Sequence, residues 1–244
     1  MNPLQNPSAS ASELVVSRPA PGVVELRLDR PHRANALSTP LLEALAQALN
    51  DARIDDDVRA VVLTGGSTLF SVGADRADLH TPPPSETTSA PRAECYARIA
   101  TFPKPLVAAV CGLAFGGGCE LVLVADIVIA GTSARFALPE TGLGLIPGAG
   151  GTQRLARTIG RPLAMQMILA GAELTAAEAL RAGLVGDVVS DEDCLPRARE
   201  LAQTIATRPP RAVQAAKAAV LQSFELPLSA GLALERRLFL DLLK

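Results

Sequence analysis

The sequence is poor in aromatic side chains. It has no tryptophan and one tyrosine among 244 residues, and aromatic residues make up only 3% of a chain that is 48% hydrophobic. Alanine, leucine and valine must therefore supply most of the core. A chain of this length can bury a sizeable core in one domain, or in one domain plus a small appendage. Small side chains let helices approach closely, and the apolar surplus predicts burial between subunits, so we expect a homo-oligomer.

Histidine and cysteine are also scarce. The two histidines and four cysteines show no C-x-x-C pairing and cannot build a convincing metal site, so no metal ligands are assigned. The cysteines are expected to be small buried hydrophobes in a reducing compartment, which predicts a cytoplasmic location. No histidine follows His80, and a serine peptidase would need one downstream of its serine nucleophile.

Charge of one sign and long apolar runs are missing as well. The net charge is −2 and no basic block is present, so the sequence indicates neither nucleic acid nor an anionic membrane as a partner. No apolar run reaches the roughly 18 residues that a membrane helix needs. Residues 1–12 are polar, with Pro, Asn and Ser, and predict a disordered leader instead of a signal peptide.

The hydrophobic pattern predicts an α/β fold. Strands and helices alternate up to about residue 190, which delimits a core of residues 13–190, and residues 191–244 are expected to be helical. A proline-rich segment, residues 81–91, is expected to be mobile. Strands are predicted at residues 13–17, 23–28, 60–64, 106–110, 127–131, 135–138 and 186–189, and helices after residue 90 at 92–100, 151–159, 162–170, 193–207, 210–222 and 228–243. Ser38 or Thr39 can cap the start of an earlier helix, and a capping box of Thr175 and Glu178 predicts another helix that stops at Gly183.

The candidate site lies between residues 104 and 151. Three consecutive glycines, residues 116–118, follow a predicted strand and precede a helix. A backbone without Cβ lets a ligand approach bare N–H groups, and a helix N-terminus favours negative charge, so this turn is a candidate oxyanion hole. Glu120 lies just inside the helix, and Glu140 ends another apolar segment. Oxyanion donors with two carboxylates suit proton chemistry beside a carbonyl.

This stretch and two upstream motifs resemble the crotonase (enoyl-CoA hydratase/isomerase) superfamily over roughly residues 13–242. The upstream motifs are Leu63-Thr64-Gly65 through Gly73-Ala74-Asp75, and Arg30-Pro31 followed by Asn35-Ala36-Leu37. The resemblance implies a crotonase-type spiral of β-β-α units with a helical C-terminal trimerisation region. It also implies a trimer or a dimer of trimers, and an acyl-CoA thioester as ligand. Coenzyme A would enter as part of the substrate, with no other cofactor.

The resemblance also implies the catalytic groups. The two oxyanion N–H groups fall on Ala74 and Gly117, and Glu120 and Glu140 match the catalytic carboxylates of a hydratase. Gly148 matches a backbone position beside the reacting water.

The coenzyme-binding positions are implied in the same way. Arg33 and Ala34 match positions along the nucleotide and pantetheine, and the segment Ala74-Asp75-Arg76-Ala77 matches the loop that wraps the same ligand. Read from the residues alone, Arg33 could be a solvated surface charge, and Asp75 is better suited to hold its loop than to touch substrate. The family often places a lysine near position 77, and here the residue is Ala77, so a phosphate contact would have to come from Arg76 or Arg33.

Two further expectations concern the C-terminus and the reaction. The chain ends at Lys244, before the last helices that the family usually has, so the C-terminal region is expected to lack them. The favoured function is an enoyl-CoA hydratase, because both Glu120 and Glu140 are present. Enoyl-CoA isomerisation, which needs one base, and non-catalytic acyl-CoA binding on the same fold are the alternatives. A serine peptidase of a related spiral fold is the weakest reading.

Overall fold

The computed structural model describes residues 13–79 and 91–244. The predicted leader and residues 81–90 of the proline-rich segment lie outside this range. In the first half the elements are β1 (Leu14–Ala20), β2 (Val23–Leu28), α1 (Thr39–Ile54), β3 (Ala60–Thr64), α2 (Arg76–Leu79), α3 (Pro91–Ala100), β4 (Leu106–Val110), β5 (Leu113–Phe115) and α4 (Gly117–Val124).

The second half is richer in helix. Its elements are β6 (Ile127–Gly131), β7 (Arg135–Ala137), α5 (Gly151–Ile159), α6 (Arg161–Ala170), β8 (Leu174–Thr175), α7 (Ala176–Ala182), β9 (Asp187–Val189), α8 (Asp191–Ala206), α9 (Pro210–Gln222) and α10 (Leu228–Leu242). Short 3-10 turns at Pro31–Arg33 and Glu140–Leu143 belong to the site loops. The predicted α/β class is confirmed, and the bounds differ from the predicted ones by a few residues at most.

The strands form a six-stranded and a three-stranded sheet. The larger sheet has the order β1-β2-β3-β4-β6-β9 and is parallel except for the β1–β2 pair. Every residue of β3 and β4 is buried, as expected for parallel strands covered on both faces. The smaller sheet has the order β5-β7-β8. Strands β5 and β8, of three and two residues, were not predicted.

Two cores cover the faces of the larger sheet. Side chains alternate along β3, so Val61 and Leu63 pack into the main core with α1, whereas Ala60 and Val62 pack beneath α8. Helix α8 covers that second face with small residues, Cys194, Ala198 and Ala202, which let the helix lie close to the strands. All four cysteines are free and buried.

Helix caps follow the predicted chemistry. The hydroxyl of Ser38 accepts a hydrogen bond from Leu41 N at the start of α1. Thr175 and Glu178 form a capping box at the start of α7, and that helix ends at Gly183 in the left-handed conformation. These local signals confirm the predictions for both helices.

The last two helices leave much apolar surface exposed. No residue of α9 or α10 is buried in the single chain. Their exposed large apolar side chains are Val220, Leu221, Leu228, Leu232, Phe239, Leu240 and Leu242. Within residues 13–79 and 91–244, no helix has the length and apolar character needed to cross a membrane.

Asn35 joins the loop after β2 to the loop after β3. It is buried and has a φ of 51°, which asparagine tolerates better than most residues. Its Oδ1 accepts a hydrogen bond from Arg30 N at 2.9 Å, and its Nδ2 donates to Gly65 O at 2.9 Å and to Phe70 O at 3.1 Å. One side chain therefore orders both loops.

Replacing Asn35 with alanine is expected to lower the free energy of unfolding by about 2–4 kcal/mol, because buried backbone groups lose their partners and alanine is strained at positive φ. Chemical denaturation measures this loss. Asn50→Ala is the matched control: Asn50 makes one exposed hydrogen bond, to Arg53, so its loss should stay within about 0.5 kcal/mol. Equal effects of the two substitutions would contradict the role given to Asn35.

Candidate active site

The glycine turn between β5 and α4 is packed against neighbouring backbone. Gly116 has φ 49° and ψ −125°, and its N–H donates to Ala137 O at 2.9 Å. A Cβ on Gly118 would lie 2.6 Å from Ser71 O, and the two chain segments could not then keep their spacing. Glycine is therefore required at residue 118 by close approach and at residue 116 by conformation.

The structure brings Ala74 and Gly117 close together, the two residues on which the resemblance places the oxyanion donors. Leu37 N donates to Gly73 O at 2.7 Å and Asp75 N donates to Leu37 O at 3.1 Å, which leaves the N–H of Ala74 outside this bridge. A Cβ on Gly117 would lie 3.7 Å from Ala74 N. Among the described residues, neither N–H has an acceptor, so both can serve a ligand.

Glu120 is buried in the first turn of α4 and anchored by backbone. Its Oε1 accepts hydrogen bonds from Ala149 N at 2.7 Å and Gly151 N at 2.9 Å, both in the loop that leads into α5. Burial raises the pKa of this carboxyl, and the two N–H donors and the charge of Arg92 oppose that rise. The Oε1 atom of Glu120 is therefore occupied by hydrogen bonds within the protein.

Glu140 differs from Glu120 in its partners. It begins the 3-10 turn after β7, and a Cβ on Gly116 would lie 3.0 Å from its Oε1. Its Oε2 is buried and has no hydrogen-bond partner among the described residues. Burial raises the pKa of Glu140 to about 7, and the nearby charge of Glu120 acts in the same direction. This carboxyl therefore holds a proton through much of the neutral range.

The predicted coenzyme-binding positions lie in the loop after β2 and in the segment between β3 and the end of α2. Arg33 and Arg76 are exposed, and Ala34 between the two loops has a φ of 51°. Asp75 instead holds its loop: its Oδ2 pairs with Arg30 Nη1 at 2.6 Å and its Oδ1 accepts from Ala77 N at 3.1 Å. The guanidinium of Arg30 lowers the pKa of Asp75, so the carboxylate stays ionised.

Gly148 lies in the loop before α5, the loop whose backbone N–H groups bind Glu120. It is exposed, and a Cβ there would meet nothing within 4 Å, so this backbone borders open space next to Ala149. Among the described residues, no group of three or more His, Cys, Asp or Glu side chains could hold a metal ion.

Sequence reasoning missed two side chains of α3 that reach the site. The hydroxyl of Tyr96 donates to Gly117 O at 2.9 Å, and Arg92 Nη1 donates to Leu37 O at 2.7 Å. The one signal in the sequence was the spacing of a lone tyrosine four residues after an arginine, which places both on one face of a helix.

Two backbone N–H donors lie beside two carboxyl groups that differ in their hydrogen-bond partners. This arrangement suits an enzyme that moves protons next to an acyl carbonyl, because the N–H groups can stabilise negative charge on the oxygen and the carboxyl groups can take up and release protons. Comparison with known proteins gives the class more closely. The chain belongs to the enoyl-CoA hydratase/isomerase family, whose pattern matches residues 19–244. The predicted crotonase superfamily and its fold are thereby confirmed.

Individual relatives agree with this assignment. The chain is 47% identical over 228 residues to 2,3-dehydroadipyl-CoA hydratase of Escherichia coli (strain K12), covering 93% of this chain and 89% of that protein. It is 42% identical to mitochondrial enoyl-CoA hydratase of Pongo abelii, covering 88% and 74%. An enoyl-CoA hydratase subunit from Geobacillus kaustophilus HTA426 superposes with a TM-score of 0.90 at 35% identity, covering 95% of this chain and 90% of that one.

The unusual pKa of Glu140 predicts a pH-dependent gain in stability for Glu140→Gln. A folded-state pKa of about 7, against an ordinary 4.5, means that wild-type stability falls as pH rises from 4.5 to 7. Glutamine removes this fall, so the variant should gain up to about 3 kcal/mol relative to wild type across that window and nothing more above it.

Chemical denaturation at pH 5 and pH 8, at one chain concentration, measures the difference. Glu173→Gln is the control, because Glu173 is exposed and lies outside the site. A Glu140→Gln difference that is the same at both pH values would show that burial does not raise the pKa of Glu140.

Proposed function

We propose that the protein is an enoyl-CoA hydratase, which adds water across a trans-2-enoyl-CoA thioester to give a 3-hydroxyacyl-CoA. The observation that carries this proposal is the pair of carboxyl groups with different partners, buried Glu120 and half-buried Glu140, beside two N–H groups that have no acceptor among the described residues. The kinship with enoyl-CoA hydratases supports the same reaction.

In this proposal the N–H groups of Ala74 and Gly117 bind the thioester oxygen. Negative charge moves onto that oxygen in the enolate-like transition state, so both hydrogen bonds strengthen as the reaction proceeds. The first turn of α4 adds the positive end of its dipole at the same place. These groups therefore stabilise the transition state more than the bound substrate.

The two carboxyl groups divide the proton transfers. Glu120 holds the water with the oxygen that the backbone leaves free and takes its proton as the water attacks C3. The raised pKa of Glu140, about 7, leaves a large share of this carboxyl protonated near neutral pH, and the protonated form delivers a proton to C2. The exposed backbone of Gly148 borders the position of the water. The mechanism uses only groups of the chain, and coenzyme A enters with the substrate.

The coenzyme is assigned to the rim of the site. Arg33 and Arg76 are exposed cations that can meet its phosphates, and Ala34 and the segment after Ala74 would lie along its pantetheine arm. Asp75 contributes by fixing that segment through Arg30. A cytoplasmic location is also part of the proposal and is supported by four free, buried cysteines.

We include ω-carboxylated enoyl-CoA thioesters among the candidate substrates, because one relative is named for 2,3-dehydroadipyl-CoA, whose acyl chain ends in a free carboxylate. A panel of short, long, aromatic and ω-carboxylated enoyl-CoA thioesters, compared by kcat/KM, would identify the preferred chain.

The carboxyl assignment predicts that Glu120→Gln and Glu140→Gln each lower the rate of hydration by about 10²–10⁴, because glutamine can neither take nor give the proton. The double variant should lose far less than the product of the two effects, since both groups act on one transition state. Binding of a saturated acyl-CoA should persist, and Glu173→Gln should retain full activity.

Isomerisation of a 3-enoyl-CoA, measured beside hydration, separates the alternatives. If Glu120→Gln leaves hydration intact while Glu140→Gln abolishes isomerisation, the protein is a one-base isomerase. If neither substitution changes either reaction, only acyl-CoA binding remains as the function.

We also propose that residues 13–190 carry binding and catalysis and that residues 191–244 serve assembly into a trimer or a dimer of trimers. Helix α8 at the start of that region packs on the sheet, whereas α9 and α10 expose the apolar side chains described above. A monomer rarely leaves such a surface in water, and a second copy of the chain would cover it.

Light scattering is expected to give three or six times the chain mass of 25.3 kDa. Leu232→Lys, on exposed α10, should shift the distribution to smaller species because it places a charge in the apolar surface. Ile54→Lys is the matched control at an exposed apolar residue outside this region. A monomeric wild-type protein at micromolar concentration would contradict the assembly.

A further inference from the structure

One face of α3 contacts the backbone on both sides of the oxyanion site. Arg92 and Tyr96 lie one helical turn apart and therefore point the same way. The hydroxyl of Tyr96 is buried and donates to the carbonyl of Gly117 at 2.9 Å. Arg92 Nη1 donates to the carbonyl of Leu37 at 2.7 Å. Tyr96 therefore contacts the glycine turn before α4, and Arg92 contacts the loop between β2 and α1.

The two acceptors lie close to the oxyanion donors along the backbone or through hydrogen bonds to it. Gly117 supplies both the carbonyl that Tyr96 binds and one of the donor N–H groups. The carbonyl of Leu37 also accepts a hydrogen bond from Asp75 N at 3.1 Å, and Leu37 N donates to Gly73 O at 2.7 Å. Leu37 is therefore hydrogen-bonded to the residues on both sides of Ala74. Arg92 therefore acts on the second donor through Leu37.

We propose that Arg92 and Tyr96 are positioning residues that set the separation of the Ala74 and Gly117 N–H groups. The proposal rests on the proposed function, in which those N–H groups bind the thioester oxygen. Neither side chain touches the reacting atoms; each binds a backbone carbonyl, and the positive charge of Arg92 near Glu120 is kept in Arg92→Lys.

The backbone at this site needs such support. Both donors adjoin glycines at positive φ, Gly73 at 95° and Gly116 at 49°, where the chain has more conformational freedom than elsewhere. Donors stabilise an oxyanion only within about 2.7–3.1 Å of its position. A displacement of either N–H by a fraction of that distance weakens the transition-state contact more than it weakens substrate binding.

Arg92 is itself held in place. Its Nη1 also lies 3.3 Å from Asp78 Oδ2, and that carboxylate accepts hydrogen bonds from both the N–H and the hydroxyl of Thr39 at the start of α1. The guanidinium is therefore fixed between α1, α2 and the Leu37 backbone, which suits a positioning group better than a mobile surface charge.

Tyr96→Phe removes only the hydroxyl, and Arg92→Lys removes the planar guanidinium while keeping the charge. We expect each to lower kcat for hydration about tenfold and to change KM by less than about twofold, because the donors shift without leaving the site. Arg98→Lys is the matched control on the exposed face of the same helix. Among the described residues its side chain makes one hydrogen bond, to Gln47 Oε1 at 3.4 Å on the surface, so the kcat of this variant should equal that of wild type.

The infrared stretch of the thioester carbonyl, measured by isotope difference in the bound acyl-CoA, reports polarisation by the donors directly. Wild type and Arg98→Lys should lower this frequency on binding, and Tyr96→Phe and Arg92→Lys should lower it less. A change in packing alone would alter the unfolding temperature without moving this band.

The possible outcomes distinguish a failure of this inference about α3 from a failure of the oxyanion assignment. If wild type polarises the carbonyl and both variants do so equally, α3 does not position the donors and the inference is wrong. If wild type itself does not polarise the carbonyl, the oxyanion assignment fails and the inference fails with it. Should Tyr96→Phe not fold, as judged by circular dichroism, the milder Arg92→Lys decides the question by the same measurement.

Discussion

The close packing of the loop after β3 against β5 is the contact on which the site depends. Ser71 N donates to Leu113 O at 2.9 Å, and Phe115 N donates to Ser71 O at 3.0 Å, so the loop runs beside the short strand that leads into the glycine turn. The missing Cβ of Gly118 lets the two backbones approach. Because of this pairing, the N–H groups of Ala74 and Gly117 lie close together although the two residues are far apart in the sequence.

Unequal contacts inside the protein give the two carboxyl groups their separate properties. Both groups lose hydration, which raises the pKa of each. Glu120 receives two backbone donors in exchange, whereas the buried Oε2 of Glu140 receives none among the described residues. The difference comes from the loop before α5, which approaches one carboxylate and not the other. A general base and a general acid can therefore share one pocket.

The Arg30 and Asn35 motif contributes order to the loops more than contact with a ligand. Arg30 pairs with Glu13 and Asp75, and Asn35 binds the loop after β3. Both side chains are directed into the protein, so the polar residues that made this motif recognisable stabilise the loops from which Arg33 and Ala34 extend to the rim. The loop could not present its exposed residues without this internal network.

The sequence by itself determined the features that depend on neighbouring residues. Buried apolar runs predicted β3 and β4 with their observed bounds, and the caps at Ser38 and Thr175 predicted where two helices begin, because these signals act within a few residues of the chain. The resemblance to a family also placed Glu120 and Glu140. The resemblance also named Ala74 and Gly117, but only the tertiary structure shows how closely their backbones approach, how the surroundings of Glu120 and Glu140 differ, and which side chains of α3 contact the site. Each of these arises where segments far apart in sequence share one small volume, and spacing along the chain carries no measure of that approach.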